Sequence, residues 1–316
     1  MGRENILITG GAGYIGNVLS RRLLQKGHRV TCLDNLMYRQ DYSVFPLAAD
    51  PNFTFVYGDA RDERILREVV PKVDAIIPLA AIVGAPASDA RPFDTKTINQ
   101  DAVALLNDLR GSQQKMVFPN TNSGYGTRSG QYHCDENTPL EPISLYGITK
   151  CEAEKAITES GKGHVVFRLA SVFGLSPRMR LDLSQHRMIV DALTNKAITL
   201  SEGNYTRNYI YIGDVTSAFE HALENYESMN GEVYNAGSDG ANISKIELAK
   251  KISSHIPGTQ IFQHEYERDQ DKRNYLVSNE KLKKAGFVAT TSLDCGIKEV
   301  IKGVSIMLRN NPHRNL

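Results

Sequence analysis

The sequence predicts an α/β fold, a doubly wound parallel sheet with a smaller C-terminal α/β lobe beside it. Three observations carry this. Short apolar runs alternate with longer helical patterns through the first half, the first run ends in a glycine-rich turn, and the alternation loosens after about residue 174. Near-continuous apolar runs are the mark of strands covered on both faces, and alternation with helices marks parallel crossover units.

In order, residues 5–9 predict a first strand and 14–26 a helix. Residues 29–33 predict a second strand ending at Asp34, and 53–57 a third ending at Gly58 and Asp59. Residues 75–79 and 115–119 predict the fourth and fifth strands, 146–158 a helix and 165–170 a sixth strand. Beyond these, isolated helical patterns at 183–194 and 244–255 suggest the second lobe. The expected division is therefore 1–174 and 175–316, with 208–222 as a segment that can return to the first part. A length of 316 residues suits two such lobes.

Hydrophobic residues make up 41% and charged residues 23%, an ordinary globular composition. Net charge is +1, so no global field favours nucleic acid or an anionic membrane. No apolar run approaches a membrane span. The four cysteines lack any C-x-x-C pair and the eight histidines are scattered, so reduced thiols, a cytoplasmic setting and no metal are expected.

The first strand enters Gly10-Gly11-Ala12-Gly13-Tyr14-Ile15-Gly16, a G-x-x-G-x-x-G spacing between strand and helix. One glycine permits the tight turn, one lets backbone approach a pyrophosphate, and the last lets helix pack on strand. The helix N-terminus then offers free N–H groups and a positive dipole end to phosphate. Asp34 follows at the end of the second strand, where a carboxylate can accept from the adenosine ribose hydroxyls. It would repel a 2′-phosphate, and its neighbour is Asn35 rather than an arginine. The cofactor expected is NAD.

Tyr146 and Lys150 stand four residues apart, on one face of a predicted helix. A tyrosine titrates near pH 10, so its use as a base near neutrality asks for about 4 kcal/mol of help, which a nearby lysine can supply. Between the glycine turn and this pair lies a polar strand end, Asn120-Thr121-Asn122-Ser123-Gly124-Tyr125-Gly126.

Together these residues resemble the extended short-chain dehydrogenase/reductase family, which includes sugar-nucleotide epimerases, dehydratases and dehydrogenases. The resemblance spans nearly the whole chain and implies a Rossmann-type fold. It rests on Gly10, Gly13, Gly16, Asp34, Gly58-Asp59, Leu79-Ala80-Ala81, Thr121, Tyr146, Lys150, Arg168 and Arg207-Asn208-Tyr209-Ile210. It implies Thr121, Tyr146 and Lys150 as the catalytic set. It implies a cofactor site of Gly10, Gly13, Tyr14, Ile15, Gly16, Asp34, Asn35, Asp59, Ala60, Leu79, Ala80, Ala81 and Asn99, with Tyr146 and Lys150. A homodimer is implied too, built on helices near 97–109 and 146–158.

The departures are informative. Dehydratases of the family follow the catalytic threonine with Asp-Glu, whereas Asn122 and Ser123 stand here and cannot titrate usefully. Pro78 and Ser171 replace a family histidine and asparagine. For a substrate diphosphate the candidates are Arg178, Arg180, Arg207 and Arg273, with Asn122, Ser123 and Ser171 lining the sugar end. The strings at 120–126, 167–183 and 271–279 resemble more narrowly the GDP-heptose 4-dehydrogenase branch of capsule biosynthesis. That implies NAD-dependent oxidation at C4 of a GDP-sugar. The alternatives are a 4-epimerase, which shares the catalytic set, and a non-catalytic NAD-binding sensor, which the intact Thr121/Tyr146/Lys150 set disfavours.

Overall fold

A computed structural model describes residues 2–127, 133–264 and 274–309. Its centre is a seven-stranded sheet. The strands that build it and the second lobe are β1 (Asn5–Thr9), β2 (Arg29–Asp34), β3 (Phe53–Tyr57), β4 (Ala75–Pro78), β5 (Lys115–Thr121), β6 (His133–Cys134), β7 (Val165–Leu169), β8 (Ser171–Phe173), β9 (Ala197–Ser201), β10 (Thr206–Tyr211), β11 (Glu232–Ala236), β12 (Asn242–Ser244), β13 (Gln260–His264) and β14 (Leu276–Val277). The sheet order is β11-β7-β5-β4-β1-β2-β3, and every pairing in it is parallel.

The sheet's two faces bury separate apolar sets. One gathers Ile6, Ile8, Val30, Ile77, Val117 and Phe167 under helix residues such as Leu19, Leu23 and Phe219. The other gathers Leu7, Leu33, Ile76, Met116 and Phe118 under Leu66, Leu106 and Ile157. Alternate residues of one strand thus serve opposite cores, which is why the runs read as continuous apolar segments.

The six strands expected from sequence are all present, with β5 two residues longer and reaching Thr121. The seventh, β11, has the sequence EVYNA and was not expected; it adds to β7 at the sheet's edge. Helix Ile212–Glu224 likewise buries Val215, Ala218 and Phe219 in the first core. The chain therefore returns to the sheet twice after residue 174.

The second lobe is built from the three-stranded sheet β12-β10-β8, the pairs β13-β9 and β14-β6, and helices Ser184–Asn195, Lys245–His255 and Leu293–Arg309. Their apolar faces form a third core around Ile189, Leu248, Ile252, Ile297 and Val300. Helix Lys245–His255 begins with a reciprocal capping box, Ser244 with Glu247, which satisfies two otherwise unpaired N–H groups. Among the described residues no helix is long and apolar enough to cross a membrane.

Strand order reverses between β1 and β4, since β2 continues on one side and β5 on the other. A parallel sheet opens a crevice at the carboxyl ends of its strands at such a point. There β1 ends in the glycine turn and β4 ends in Leu79-Ala80-Ala81.

Candidate functional site

The glycine turn is shaped by what its glycines lack. Gly10 has φ +73°, and a Cβ there would lie 2.6 Å from the Ala80 nitrogen. A Cβ on Gly16 would lie 2.4 Å from the Gly10 carbonyl oxygen, and one on Gly13 2.9 Å from it. Three close approaches of bare backbone thus leave a cradle that side chains would fill. Helix Tyr14–Gln25 has Gly13 at its N-cap and no side chain capping it, which leaves its first N–H groups for an outside acceptor. The residues fit a dinucleotide's pyrophosphate.

Asp34 is buried at the end of β2. Its Oδ2 accepts from the Ala12 N–H at 3.0 Å, and its Oδ1 from the Leu36 N–H at 2.8 Å and the Gln40 amide at 3.3 Å. Burial raises its pKa, and the backbone donors and Arg178 oppose that rise. The carboxylate is thus locked to the glycine turn itself. Asn35 donates to Asp59 at 3.0 Å, and Asp59 is also gripped by Arg61 at 2.8 Å, which lowers its pKa. Arg61 reaches Asp94 as well, a link from β3 to the helix region after β4 that sequence reading did not anticipate.

The other expected cofactor residues divide. Ala60 and Ala80 share the lining of a small cleft with Thr9, Pro78 and Ile98, and Leu79 and Ala81 flank it, half-buried. The Tyr14 side chain turns away from the turn, its hydroxyl donating to the Gly174 carbonyl at 2.8 Å, and Ile15 packs into both neighbouring cores. Asn99 is fully buried, its amide donating to the Ile82 carbonyl and accepting from the Ile82 N–H at 2.9 and 2.8 Å. It pins the segment after β4, with Thr149 beside it at 3.4 Å.

The expected catalytic residues come from β5 and the helix Leu145–Thr158. Thr121 ends β5, its Oγ1 at 3.0 Å from the Ser123 hydroxyl and accepting the Ser123 N–H at 3.1 Å. The helix starts at a Ser144 cap that accepts the Gly147 N–H. A Cβ on Gly147 would meet the Ser123 carbonyl oxygen at 3.4 Å, so the helix start lies against the turn that follows Thr121. Tyr146, half-buried, and Lys150, buried, follow at i and i+4 of this helix. The Lys150 ammonium sits 4.1 Å from the Phe118 ring centroid, on β5 three residues before Thr121. Burial pushes the Lys150 pKa down to about 7.

One turn further, Glu154 forms a buried pair with Arg168 of β7 at 2.6 Å and also receives the Asn120 amide. Arg168 donates to the Tyr125 hydroxyl at 3.1 Å, and Tyr125 donates to Asn235 of β11 at 2.7 Å. This network ties β5, β7, β11 and the helix into one rigid platform under Lys150. Asn122 is buried with neither side-chain amide atom hydrogen-bonded among the described residues.

Of the arginines expected at the substrate end, Arg178 and Arg180 share one loop and act on each other electrostatically. Arg180 is paired with Asp182 at 2.5 Å and lies within electrostatic reach of Tyr146 and Tyr14. Arg178, two residues earlier, is buried with its guanidinium 4.6 Å from the Tyr38 ring. Arg207 is buried on β10, and Ser171 lies on β8 opposite Tyr209 of that strand. Arg273 lies outside the described residues.

His186 organises this segment, and sequence reading missed it. Fully buried, it accepts the Gly174 N–H at Nε2 (3.2 Å) and donates from Nδ1 to the Arg180 carbonyl at 2.7 Å. A carbonyl can only accept and a backbone N–H only donate, so the ring is held in the neutral Nδ1–H tautomer. Burial pushes its pKa down to about 4. The string M-R-L-D-L-S-Q-H contains no spacing that could have revealed it.

A bare-backbone cradle at the strand-order switch, a buried carboxylate wired to it, and a tyrosine–lysine helix beside a strand-end threonine define a dinucleotide-dependent enzyme of the α/β class. The sequence profile of the NAD dependent epimerase/dehydratase family matches residues 6–237, and the chain belongs to that family. It is an enzyme, and its cofactor is NAD. It is 32% identical over 255 residues to the uncharacterized UDP-glucose epimerase YtcB of Bacillus subtilis, covering 76% of this chain and 79% of that one. It is 28% identical over 310 residues to the low-salt glycan biosynthesis protein Agl12 of Haloferax volcanii, covering 94% and 97%. Among solved structures, Pal from Bacillus thuringiensis superposes with TM-score 0.87 at 26% identity, over 96% of this chain and 99% of that one. The UDP-glucuronic acid 4-epimerase of Bacillus cereus, solved with UDP-glucuronic acid and NAD, superposes with TM-score 0.82 at 25% identity, over 96% and 99%.

Proposed function

We propose that the chain oxidises the C4 hydroxyl of a nucleotide-linked sugar. Nucleotide sugars are the substrates named for several relatives, among them UDP-glucose and dTDP-glucose enzymes. When bound, NAD supplies the hydride acceptor. Tyr146 takes the hydroxyl proton, Thr121 holds the same oxygen through its Oγ, and Lys150 favours the phenolate, with Arg180 as a second cation in reach. The Glu154–Arg168 pair anchors to β7 the helix that carries Tyr146 and Lys150.

The observation that carries the choice of reaction is the pair Asn122 and Ser123 after Thr121. Removing water across C5 and C6 needs a base for the C5 proton and an acid for the leaving hydroxyl, and neither residue titrates in the physiological range. The product we propose is a 4-keto sugar that keeps its C6 oxygen. The finer proposal, a GDP-heptose in capsule biosynthesis, rests on the three strings quoted above; Arg180, Arg207 and Arg273 are then the diphosphate candidates. A 4-epimerase is the second reading, favoured by the names of several relatives. The test is mass spectrometry of products from a panel of GDP-, UDP- and dTDP-sugars, with NADH absorbance recorded alongside. A ketone with about one equivalent of NADH per site supports the dehydrogenase. Sustained interconversion of C4 epimers without added oxidant supports the epimerase, and a product lighter by one water refutes the exclusion of dehydration.

A homodimer is part of this reading. Phe93 and Ile148, 77% and 43% exposed, lie on helices Pro92–Lys96 and Leu145–Thr158, which pack together. Exposed apolar side chains on two helices packed together suit burial against a two-fold partner. A monomer by light scattering at micromolar concentration removes the idea. The four free thiols fit a reducing compartment such as the cytoplasm.

A further inference from the structure

We propose that Arg178, reaching in from the second lobe beside Asp34, clasps the adenosine-side phosphate of the dinucleotide and does not bind the sugar nucleotide's diphosphate. The inference rests on the chain binding NAD and is independent of which sugar it oxidises.

The first support is how the loop after β8 is fastened. The Tyr14 hydroxyl donates to the Gly174 carbonyl at 2.8 Å, and the Ser176 hydroxyl donates to the Tyr14 carbonyl at 2.8 Å. Tyr14 is the first residue of the helix that follows the glycine turn, so the loop is sewn to the start of the dinucleotide-binding element. His186 ties the loop at Gly174 and again at Arg180. Arg178 lies between these ties, its own N–H directed to the Ser176 hydroxyl at 3.3 Å.

The second support is where the guanidinium comes to rest. It stacks on Tyr38 at 4.6 Å. The Tyr38 N–H donates to the Gln40 side-chain Oε1 at 2.9 Å, and the Gln40 side-chain Nε2 donates to Asp34 at 3.3 Å. Arg178, Tyr38, Gln40 and Asp34 therefore form one corner, assembled from segments some 140 residues apart in sequence.

The third support is that this cation has no direct ion pair among the described residues, the Asp34 and Asp182 carboxylates acting on it only at a distance. Arg178 is 6% exposed, and among the described residues its Nε has no hydrogen-bond partner. Among the described residues its one side-chain hydrogen bond is a long one, Nη1 to the Met179 carbonyl at 3.4 Å. The nearby carboxylate of Asp182 is occupied by Arg180, at 2.5 to 3.0 Å. Burial and Arg180 both hold the Arg178 pKa below its ordinary value, an environment that disfavours the charge until an anion arrives. A buried guanidinium without a counter-charge is costly, and a guanidinium's planar fork suits phosphate. The glycine cradle fitted to a pyrophosphate adjoins this corner, since Asp34 accepts from the Ala12 N–H, and the adenosine-side phosphate is the anion we assign to Arg178.

The test uses the full chain stripped of nucleotide, with Arg178→Met and Arg178→Lys, and measures binding by calorimetry without turnover. NAD and ADP-ribose report the cofactor site, and GDP, UDP and dTDP report the sugar-nucleotide site. The expected result for Arg178→Met is a roughly ten- to hundredfold weaker affinity for NAD and ADP-ribose, the loss of one charge-assisted contact. Affinity for the nucleoside diphosphates should stay within about twofold, and Arg178→Lys should recover part of the loss. Weaker nucleoside diphosphate binding with unchanged NAD binding would overturn the proposal, and so would no change in either. If Arg178→Met fails to fold, Arg178→Lys decides by the same comparison. Failure of every sugar nucleotide to react would defeat the proposed function and leave this measurement intact.

Discussion

Replacing Lys150 by methionine should stabilise the dinucleotide-free chain while stopping its chemistry. Lys150 is 3% exposed, and burial takes its pKa from 10.5 to about 7. In the unfolded chain it stays protonated up to its ordinary value, so folding must strip or desolvate that charge. Because the folded pKa is depressed, the penalty is full below pH 7, shrinks as pH rises, and vanishes above 10.5. At about 1.4 kcal/mol per pH unit, it amounts to about 4 kcal/mol at pH 7.5 and about 1 kcal/mol at pH 10. Methionine has similar length and no charge, and loses only the contact to Phe118, worth about 1 kcal/mol. Thermal melts of Lys150→Met should therefore run several degrees above the unmodified chain at pH 7.5, at roughly 2 °C per kcal/mol. The gap should narrow by pH 10, and NADH formation should be lost at both. A lower melting temperature for Lys150→Met, or a gap that does not change with pH, would refute the reasoning.

Three further outcomes are expected. Tyr146→Phe should lower NADH formation by at least about a hundredfold while nucleotide-sugar affinity, measured by calorimetry, stays nearly unchanged; substantial turnover would mean another group takes the proton. Asp34→Ala should weaken NAD binding and narrow its advantage over NADP, and equal use of both by the unmodified chain would remove the premise. His186→Phe leaves the Gly174 N–H and the Arg180 carbonyl unpaired, a loss of about 2–4 kcal/mol at pH 7.5 read as a lower melting temperature. With its folded pKa depressed to about 4, the unmodified chain loses stability as pH falls from about 6.5 to 4, by about 3 kcal/mol. The difference between the two chains should shrink on acidification, and a constant difference would show that the histidine is not held neutral.

Much of the site was legible because its parts are local in sequence. A glycine spacing, the acidic residue at the end of the next strand, and a tyrosine and lysine one helical turn apart are fixed by strand and helix periods. The apolar runs of β1, β4 and β7 likewise announce burial on both faces. Less was legible where packing rather than period decides. β11 is a short edge strand, EVYNA, with too little alternation to stand out, and it belongs to the sheet only because β7 offers it a partner. Asn99, expected at the cofactor, has its amide engaged by the Ile82 backbone, a contact that sequence spacing does not reveal.

By itself, then, the sequence determined the α/β class, the bare-backbone turn that fits a dinucleotide and the candidate set Thr121, Tyr146 and Lys150, since each depends on neighbours a few residues away. Only the tertiary structure decided that Arg178 stacks on Tyr38 while Arg180 pairs with Asp182, and that His186 holds the loop carrying both. It alone decided that Glu154 and Arg168 brace the helix under Lys150. The physical reason is that burial, desolvation and hydrogen-bond partnership arise from groups brought together by the folded core. Two arginines separated by a single residue stay close enough to act on each other, yet among the described residues only Arg180 finds a carboxylate partner, Asp182.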